Sequence, residues 1–464
     1  MVKKTNNRKS KSVLEVNKVY VGSCLDVLKT FPDESLDMCV TSPPYWGLRD
    51  YGTEGQVWGG DEKCKHEWDG IQRFNPKNGK RDGDGTYTDP KWEAKGSLKA
   101  EINSDFCIKC NAWKGELGLE PTPDMFINNL CDIFDEVKRV LRPHGSCWVN
   151  LGDSYVRNPS QQDQIGKTGI QSTKYQYNFK HKKNYSSTYR AKSLVQIPSR
   201  FAIEMTDRGW ILRNEIIWYK TSCMPASVRD RYTVDFEKMF FFTKNPKYYF
   251  KQQFEPLKDV SLKRAEYGWD GVVVDGIGRN NPEKTDKMGE RWANPKGRNK
   301  RTVWNINTAS FKGAHFAVYP PELIESPIDA GCPEYIDKKT GKPRERVIEK
   351  TSLERYELPE DNPNYRPARY DGKYKELYGG NTGQKFAIYD DKGYDDGRDS
   401  SEFTPGVVLD PFFGSGTTAE VAMKQGKDWV GIDLNDEYIG ISEKRLKPTI
   451  KEKKTRDKAS EFWE

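Results

Sequence analysis

The order of apolar segments in this chain of 464 residues predicts an α/β fold: one mainly parallel, doubly wound sheet, circularly permuted and interrupted by polar insertions. Three observations carry this reading. Between Lys18 and Leu151 the segments alternate strand, helix, strand. From Val407 the chain reads strand, Gly-rich turn, helix, strand, which is the most regular stretch in the sequence. That turn normally opens a nucleotide-binding sheet, yet only 31 residues follow Asp433, so the remaining strands must come from upstream.

The elements follow in order. Lys18 to Ser23 is a short strand, Leu25 to Leu28 starts a helix, and Leu36 to Val40 is a second strand ended by Pro43 and Pro44, which forbid further pairing. Asp124 to Leu141 follows Thr122 and Pro123 with Met125, Leu130, Ile133, Phe134, Val137 and Leu141 at helical spacing. Arg142 to Gly145 is expected to turn the chain into a strand at Ser146 to Leu151. Ile197 to Thr206 reads as helix, Ile211 to Tyr219 and Lys238 to Lys244 as strands, with Tyr248 to Phe250 extending the β signal. The last segment gives a strand at Val407 to Leu409, a helix at Thr418 to Gln425, a strand at Trp429 to Ile432 and a helix to about Leu446.

Composition sets outer bounds. Lys and Arg number 76 against 69 Asp and Glu, a net charge of +7, and mean hydropathy is −0.89. No apolar run is long enough for a membrane span, and the first residues lack the apolar core of a secretory signal, so the expectation is a cytoplasmic protein. Nine cysteines in such a chain suit thiols or metal ligands better than a disulfide framework.

Two turns carry chemistry. Asp410-Pro411-Phe412-Phe413-Gly414-Ser415-Gly416-Thr417-Thr418 lies between a strand and a helix, where a nucleotide-type ligand meets free helix N–H groups. It lacks the Lys of a phosphate-cradling loop but fits G-x-G-x-x-A through Ala419. Asp433, 23 residues after Asp410 at the tip of the next strand, can accept both hydroxyls of a ribose. Thr41-Ser42-Pro43-Pro44-Tyr45-Trp46 ends the second strand and presents polar side chains there.

With these two turns in this order, the chain resembles the amino-methyltransferases of DNA, in the permuted class called beta. The resemblance touches residues 18–52, 122–155 with 194–250, and 303–333 with 405–446. It implies a Rossmann-like, S-adenosylmethionine-dependent methyltransferase sheet acting on a base flipped out of double-stranded DNA. Ser42, Pro43, Pro44 and Tyr45 would be catalytic: Ser42 and the Pro43 carbonyl accept hydrogen bonds from the exocyclic amine, while Tyr45 stacks on the base. Asp410, Pro411, Phe412, Gly414, Ser415, Gly416, Thr417, Thr418 and Asp433 would bind the cofactor, and His315 to Leu323 would close over its methionine end. Ser in the first position of the catalytic turn is associated with N4-cytosine, Asp or Asn with N6-adenine, so cytosine is expected and adenine is the alternative. Relatives often carry Gly-Asp where this chain has Gly22-Ser23; Asp26, three residues on, reads more simply as a helix first-turn acid.

Cys64, His66, Cys107 and Cys110 supply four ligands of the types and spacing suited to a structural zinc, leaving no open position for catalysis. Trp68 and Trp113 follow each half and could pack over the site. Cys24, Cys39, Cys131, Cys147 and Cys223 read as core. The resulting organisation is a basic arm (1–12), the first part of the catalytic half (13–52), a zinc-binding insertion (53–118), the continued methyltransferase domain (119–254), a target-recognition region (255–303), the cofactor half (304–333 and 403–450), an insertion without assigned role (334–402) and a tail (451–464). Within the continued domain, residues 157–192 hold eight basic side chains against one Asp and are expected to contact DNA phosphates. A cognate restriction endonuclease as partner lies outside what the sequence says. Two other classes stay open: a silent, zinc-containing DNA-binding module, and a nicotinamide-dependent oxidoreductase, which the late position of the Gly-rich turn disfavours.

Overall fold

A computed structural model describes residues 14–48, 53–68, 105–156, 190–256, 298–308, 318–346, 348–355, 385–391, 393–394 and 397–461. The basic arm, nearly all of loop 157–192, most of region 255–303 and residues 309–317 lie outside the described residues. Along the chain run β1 (Lys18–Val21), α1 (Cys24–Thr30), β2 (Leu36–Thr41), β3 (Gln56–Trp58), β4 (Trp113–Gly115), α2 (Pro123–Val140) and β5 (Leu141–Leu151). Then come α3 (Ile197–Asp207), β6 (Ile211–Tyr219), β7 (Phe236–Thr243), β8 (Phe254–Glu255), β9 (Arg298–Asn299), β10 (Val303–Asn305) and α4 (Pro321–Gly331). The last part holds β11 (Tyr335–Asp337), β12 (Ile348–Arg355), β13 (Lys385–Asp391), β14 (Phe403–Pro405), β15 (Val407–Asp410), α5 (Thr417–Lys424), β16 (Asp428–Asp433) and α6 (Asp436–Glu461).

Eight strands form the central sheet in the order β1-β16-β15-β2-β5-β7-β6-β10. All pairings are parallel except those of β7, which runs against both β5 and β6. β2 lies in the middle and every one of its residues is buried, as a strand covered on both faces requires. Leu36 and Cys39 face a core shared with α1, α2 and α3, whereas Met38 and Val40 face a second core formed with α4, α5 and α6. The α2 segment begins where Thr122 accepts a hydrogen bond from the Met125 N–H at 3.2 Å, and it buries Phe126, Leu130, Ile133, Phe134 and Val137. Among the described residues no helix is long and apolar enough to cross a membrane.

One feature of the order positions everything else. From β15 the chain moves outward through α5 to β16, but from β2 it moves through α2 to β5 on the other side. The connections diverge between β15 and β2, and a crevice opens there at the carboxyl ends of the strands.

Several local expectations are corrected. Residues 142–145 are extended within β5, not a turn. Leu141 pairs with Leu36 and Ser146 with Met38, so the intervening residues bulge out and bring Arg142 Nη1 (2.6 Å) and His144 Nε2 (2.9 Å) to the buried Asp37. Tyr248 to Phe250 form no strand; Phe250 stacks on Phe241 with centroids 5.6 Å apart. Cys223 is half-buried in the irregular segment after β6 and does not belong to the core. The final helix continues to Glu461, held by Ile450 against the second core and by Lys453 on Asp428 at 3.0 Å. The insertion at 334–402 is clamped at its base by β11 pairing with β14, and it carries the β12–β13 hairpin.

Candidate active site

The crevice is a cleft that opens to solvent. It brings together residues far apart in sequence: Ser42 and Pro44 from the turn after β2; Pro411, Phe412, Gly414, Ser415 and Thr417 from the turn after β15; and Asp433 from the end of β16. Gly22, Val318, Tyr319 and Asn435 complete it from the sheet side. Thr53, Gln56, Trp58, Glu116 and Leu117, all from the Cys/His insertion, also line it.

Asp410 fastens the two turns to each other. Its carboxylate is buried and accepts from the Thr41 hydroxyl (2.6 Å), the Phe412 N–H (3.0 Å), the Tyr319 hydroxyl (3.1 Å) and the Thr418 hydroxyl. Burial pushes its pKa up, and these four donors oppose the shift. Asp410, Gly416 and Thr418 therefore stand behind the cleft wall and not on it. Gly414 and Gly416 adopt φ of 51° and 79°, backbone that β-carbons disfavour, so the chain can swing from β15 into α5. Arg445 of α6 secures the turn from outside, donating to Ser415 Oγ (2.9 Å) and Thr417 Oγ1 (2.8 Å). Phe413 packs in the second core, stacked on Trp429, and both Phe412 and Phe413 border the cleft. The Asp433 carboxylate accepts from Gly414 N–H (2.7 Å) and Asn435 N–H (2.8 Å); burial raises its pKa against these bonds.

On the β2 side, the Ser42 hydroxyl lies 3.4 Å from Asn150 Oδ1, near the end of β5. The Tyr45 ring packs flat on the backbone of Gly152, where a β-carbon would come within 2.4 Å of it. The Tyr45 hydroxyl sits 3.0 Å from Asn150 Oδ1 and 2.6 Å from Glu237 Oε2, and Glu237 forms an ion pair with Lys220. Pro43 is buried behind Ser42, and the Trp46 indole N–H donates to the Glu120 carbonyl at 3.0 Å. Val318 and Tyr319 fall within the His315 to Leu323 segment expected at the cofactor, whereas sequence reading missed Asn150, Glu237 and Lys220. Asn150 had a signal, an amide near the end of an apolar strand; the others are brought in only by strand order. Asp26 is exposed on α1 and does not line the cleft, whereas Ser23 Oγ donates to Gln56 Oε1 at 3.0 Å.

The Cys/His insertion is assembled as expected. The ligand atoms of Cys64, His66, Cys107 and Cys110 lie within 4.8 Å of one another. Cys64 and Cys107 sulfurs are 3.9 Å apart, and Cys110 Sγ is 3.3 Å from His66 Nδ1. The His66 and Trp68 rings pack at 5.0 Å, while Trp113 lies in β4 opposite Trp58.

Glu120 braces this wall. Its buried carboxylate accepts from Gly118 N–H (2.8 Å) and Asn129 Nδ2 (3.2 Å), and burial pushes its pKa up to about 7 despite these bonds and one from its own N–H. A raised folded-state pKa means that the stability it contributes is full below its ordinary value of 4.5 and is lost as pH rises through 7. Glu120→Gln should gain on the wild type between pH 5 and 8 by on the order of 3 kcal/mol. Thermal unfolding of both proteins across that range tests it, and a gap independent of pH would show that Glu120 stays ionised.

The chain is similar to known proteins. The chain is 28% identical over 441 residues to the Type II methyltransferase M.Cfr9I of Citrobacter freundii, covering 93% of this chain and 89% of that one. It is 26% identical over 430 residues to the Type II methyltransferase M.SmaI of Serratia marcescens, covering 92% and 90%. The structure of PvuII DNA methyltransferase (cytosine-N4-specific) aligns at a TM-score of 0.41 with 13% identity, over 92% of this chain and 85% of that one. The sequence profile described as DNA methylase matches residues 36–337 and 399–444, a span that takes in both turns, the Cys/His insertion and all of the cleft lining except Gly22 and Cys24; the chain belongs to the DNA methylase family.

Proposed function

We propose that the protein transfers a methyl group from S-adenosylmethionine to the exocyclic N4 of cytosine in duplex DNA, on a base flipped into the cleft. The observation that carries this reading is that Ser42 of a Ser-Pro-Pro-Tyr turn borders the same cleft as Phe412, Gly414 and Asp433. The cofactor supplies an electrophilic sulfonium methyl. Asp433 holds its ribose hydroxyls, Phe412 covers its adenine face, and the turn between β15 and α5 fits the backbone to it. Ser42 directs its proton toward Asn150 Oδ1, which leaves its lone pairs for the incoming amine. An amine held that way has its nitrogen lone pair drawn out of conjugation with the ring and positioned for in-line attack. N4 gains the methyl and releases one proton. Tyr45, fixed on Gly152 and by Glu237, offers the flipped base a rigid aromatic edge.

The sheet order supports reading the domain as a circular permutation, with the catalytic strands first and the cofactor strands last. Structural zinc on Cys64, His66, Cys107 and Cys110 is part of the proposal: a tetrahedron of Zn–S bonds near 2.3 Å has edges of about 3.8 Å, close to the separations observed. Duplex binding by basic segments 157–192 and 255–303 completes it. Glu255 at the near end of the second segment pairs with Arg298 and Arg301 at the far end, so the two ends are pinned side by side. Type II names among the relatives support a cognate endonuclease as partner.

The test incubates zinc-loaded protein with unmethylated DNA of many sequence contexts and S-adenosylmethionine, then identifies modified nucleosides by mass spectrometry. N4-methylcytosine is the expected product. N6-methyladenine would overturn the base assignment alone, and the absence of any methylated nucleoside would favour a silent DNA-binding module.

A further inference from the structure

The Cys/His insertion does more than decorate the sheet, because its own residues form one wall of the cleft. Gln56, Trp58, Glu116 and Leu117 line the cleft directly. Trp58 lies six residues before Cys64, and Glu116 six residues after Cys110, so both wall-forming strands run straight out of the Cys/His cluster. Those strands, β3 and β4, have three residues each, too few for a hairpin to hold itself. β3 and β4 pair over those three residues, and the cluster ties their two sides together a second time: Cys64 and His66 from one side, Cys107 and Cys110 from the other. The same wall is tied to the catalytic turn and to the end of β1. Gly47 N–H donates to the Gly118 carbonyl at 2.8 Å, Trp46 to the Glu120 carbonyl, and Ser23 to Gln56.

We infer that metal occupancy of this cluster controls affinity for S-adenosylmethionine: zinc holds Trp58 and Glu116 against the cofactor, and its loss opens that wall. Glu116 and Trp58 line the same cleft as Phe412 and Asp433, which lets the insertion serve as a binding element as well as a fold element. The inference rests on the cofactor and zinc readings above.

The experiment uses the full-length protein. Zinc content is measured by atomic emission, and S-adenosylmethionine affinity by calorimetry, before zinc removal with a chelator, after it, and after zinc is added back. The expected result is one zinc per chain, binding at least about tenfold weaker in the stripped protein, and recovery on adding zinc, with circular dichroism showing the sheet intact throughout. Trp58→Ala and Glu116→Gln should keep the zinc and still weaken binding by about fivefold or more, a loss that a purely structural metal would not produce. Undiminished affinity in the stripped protein, or in both wall variants, overturns the inference while leaving the cofactor site standing. Purified protein that neither contains nor takes up zinc overturns it at the metal. Zinc-loaded protein that binds no S-adenosylmethionine overturns it together with the proposed function, and is told apart by failing before any zinc is removed.

Discussion

Ser42→Ala is expected to lower kcat by about 100-fold or more, equivalent to ~2.7 kcal/mol of barrier, while the Kd for S-adenosylmethionine stays near the wild-type value. The substitution removes one oxygen. Its hydroxyl borders the cleft and points its proton toward Asn150, so in the proposed mechanism its lone pairs receive the substrate amine. The fold has little reason to respond: Ser42 is only half-buried, and Pro43, Pro44 and the fastening of Thr41 to Asp410 remain. Single-turnover rates and calorimetric cofactor binding, measured on the same preparation, separate the two effects. Unchanged turnover would remove Ser42 from the chemistry. A parallel loss of cofactor affinity would show instead that the turn had collapsed.

Asp433→Ala is expected to produce the opposite split, with S-adenosylmethionine binding weakened by about 100-fold, as losing two charge-assisted hydrogen bonds of ~1.5 kcal/mol each would give. In the structure the carboxylate also accepts from the Gly414 and Asn435 N–H groups, so Asp433 shapes the Gly-rich turn as well as lining the cleft. Asp433→Asn distinguishes these jobs. It keeps one acceptor for the turn but loses the charge that draws ribose hydroxyls, and it should fall between the wild type and Ala. Affinity unchanged in both variants would mean that the cofactor does not lie against β16.

Much of this was legible in the sequence because it depends on local pattern. The strands at Lys18, Leu36, Ile211 and Val407 and the helix after Thr122 are written in apolar spacing and capping residues that need no partner to be recognised. The two turns were legible for the same reason, since prolines and glycines constrain backbone wherever they stand. The Cys and His ligands were found by spacing, and the structure brings all four together. Local reading failed where a distant partner decides conformation. Arg142 to Gly145 looks like a turn, but the buried Asp37 draws Arg142 and His144 inward and keeps the segment in β5. Pairing partners decide likewise at Tyr248 to Phe250, which carry β-favouring side chains but lie where no strand receives them.

The sequence by itself determined the α/β class, the place of the Gly-rich turn late in the chain, and the residue types that stand in the two turns, because backbone constraint and hydrophobic period act over a few residues. Only the tertiary structure decided which of those residues share a cleft. Placing β7 between β5 and β6 carries Glu237 to Tyr45, and packing of the Cys/His insertion puts Trp58 and Glu116 on the same cleft as Phe412. Those neighbours are separated by tens to hundreds of residues, and their contact follows from strand order and the burial of two cores, which no local pattern encodes.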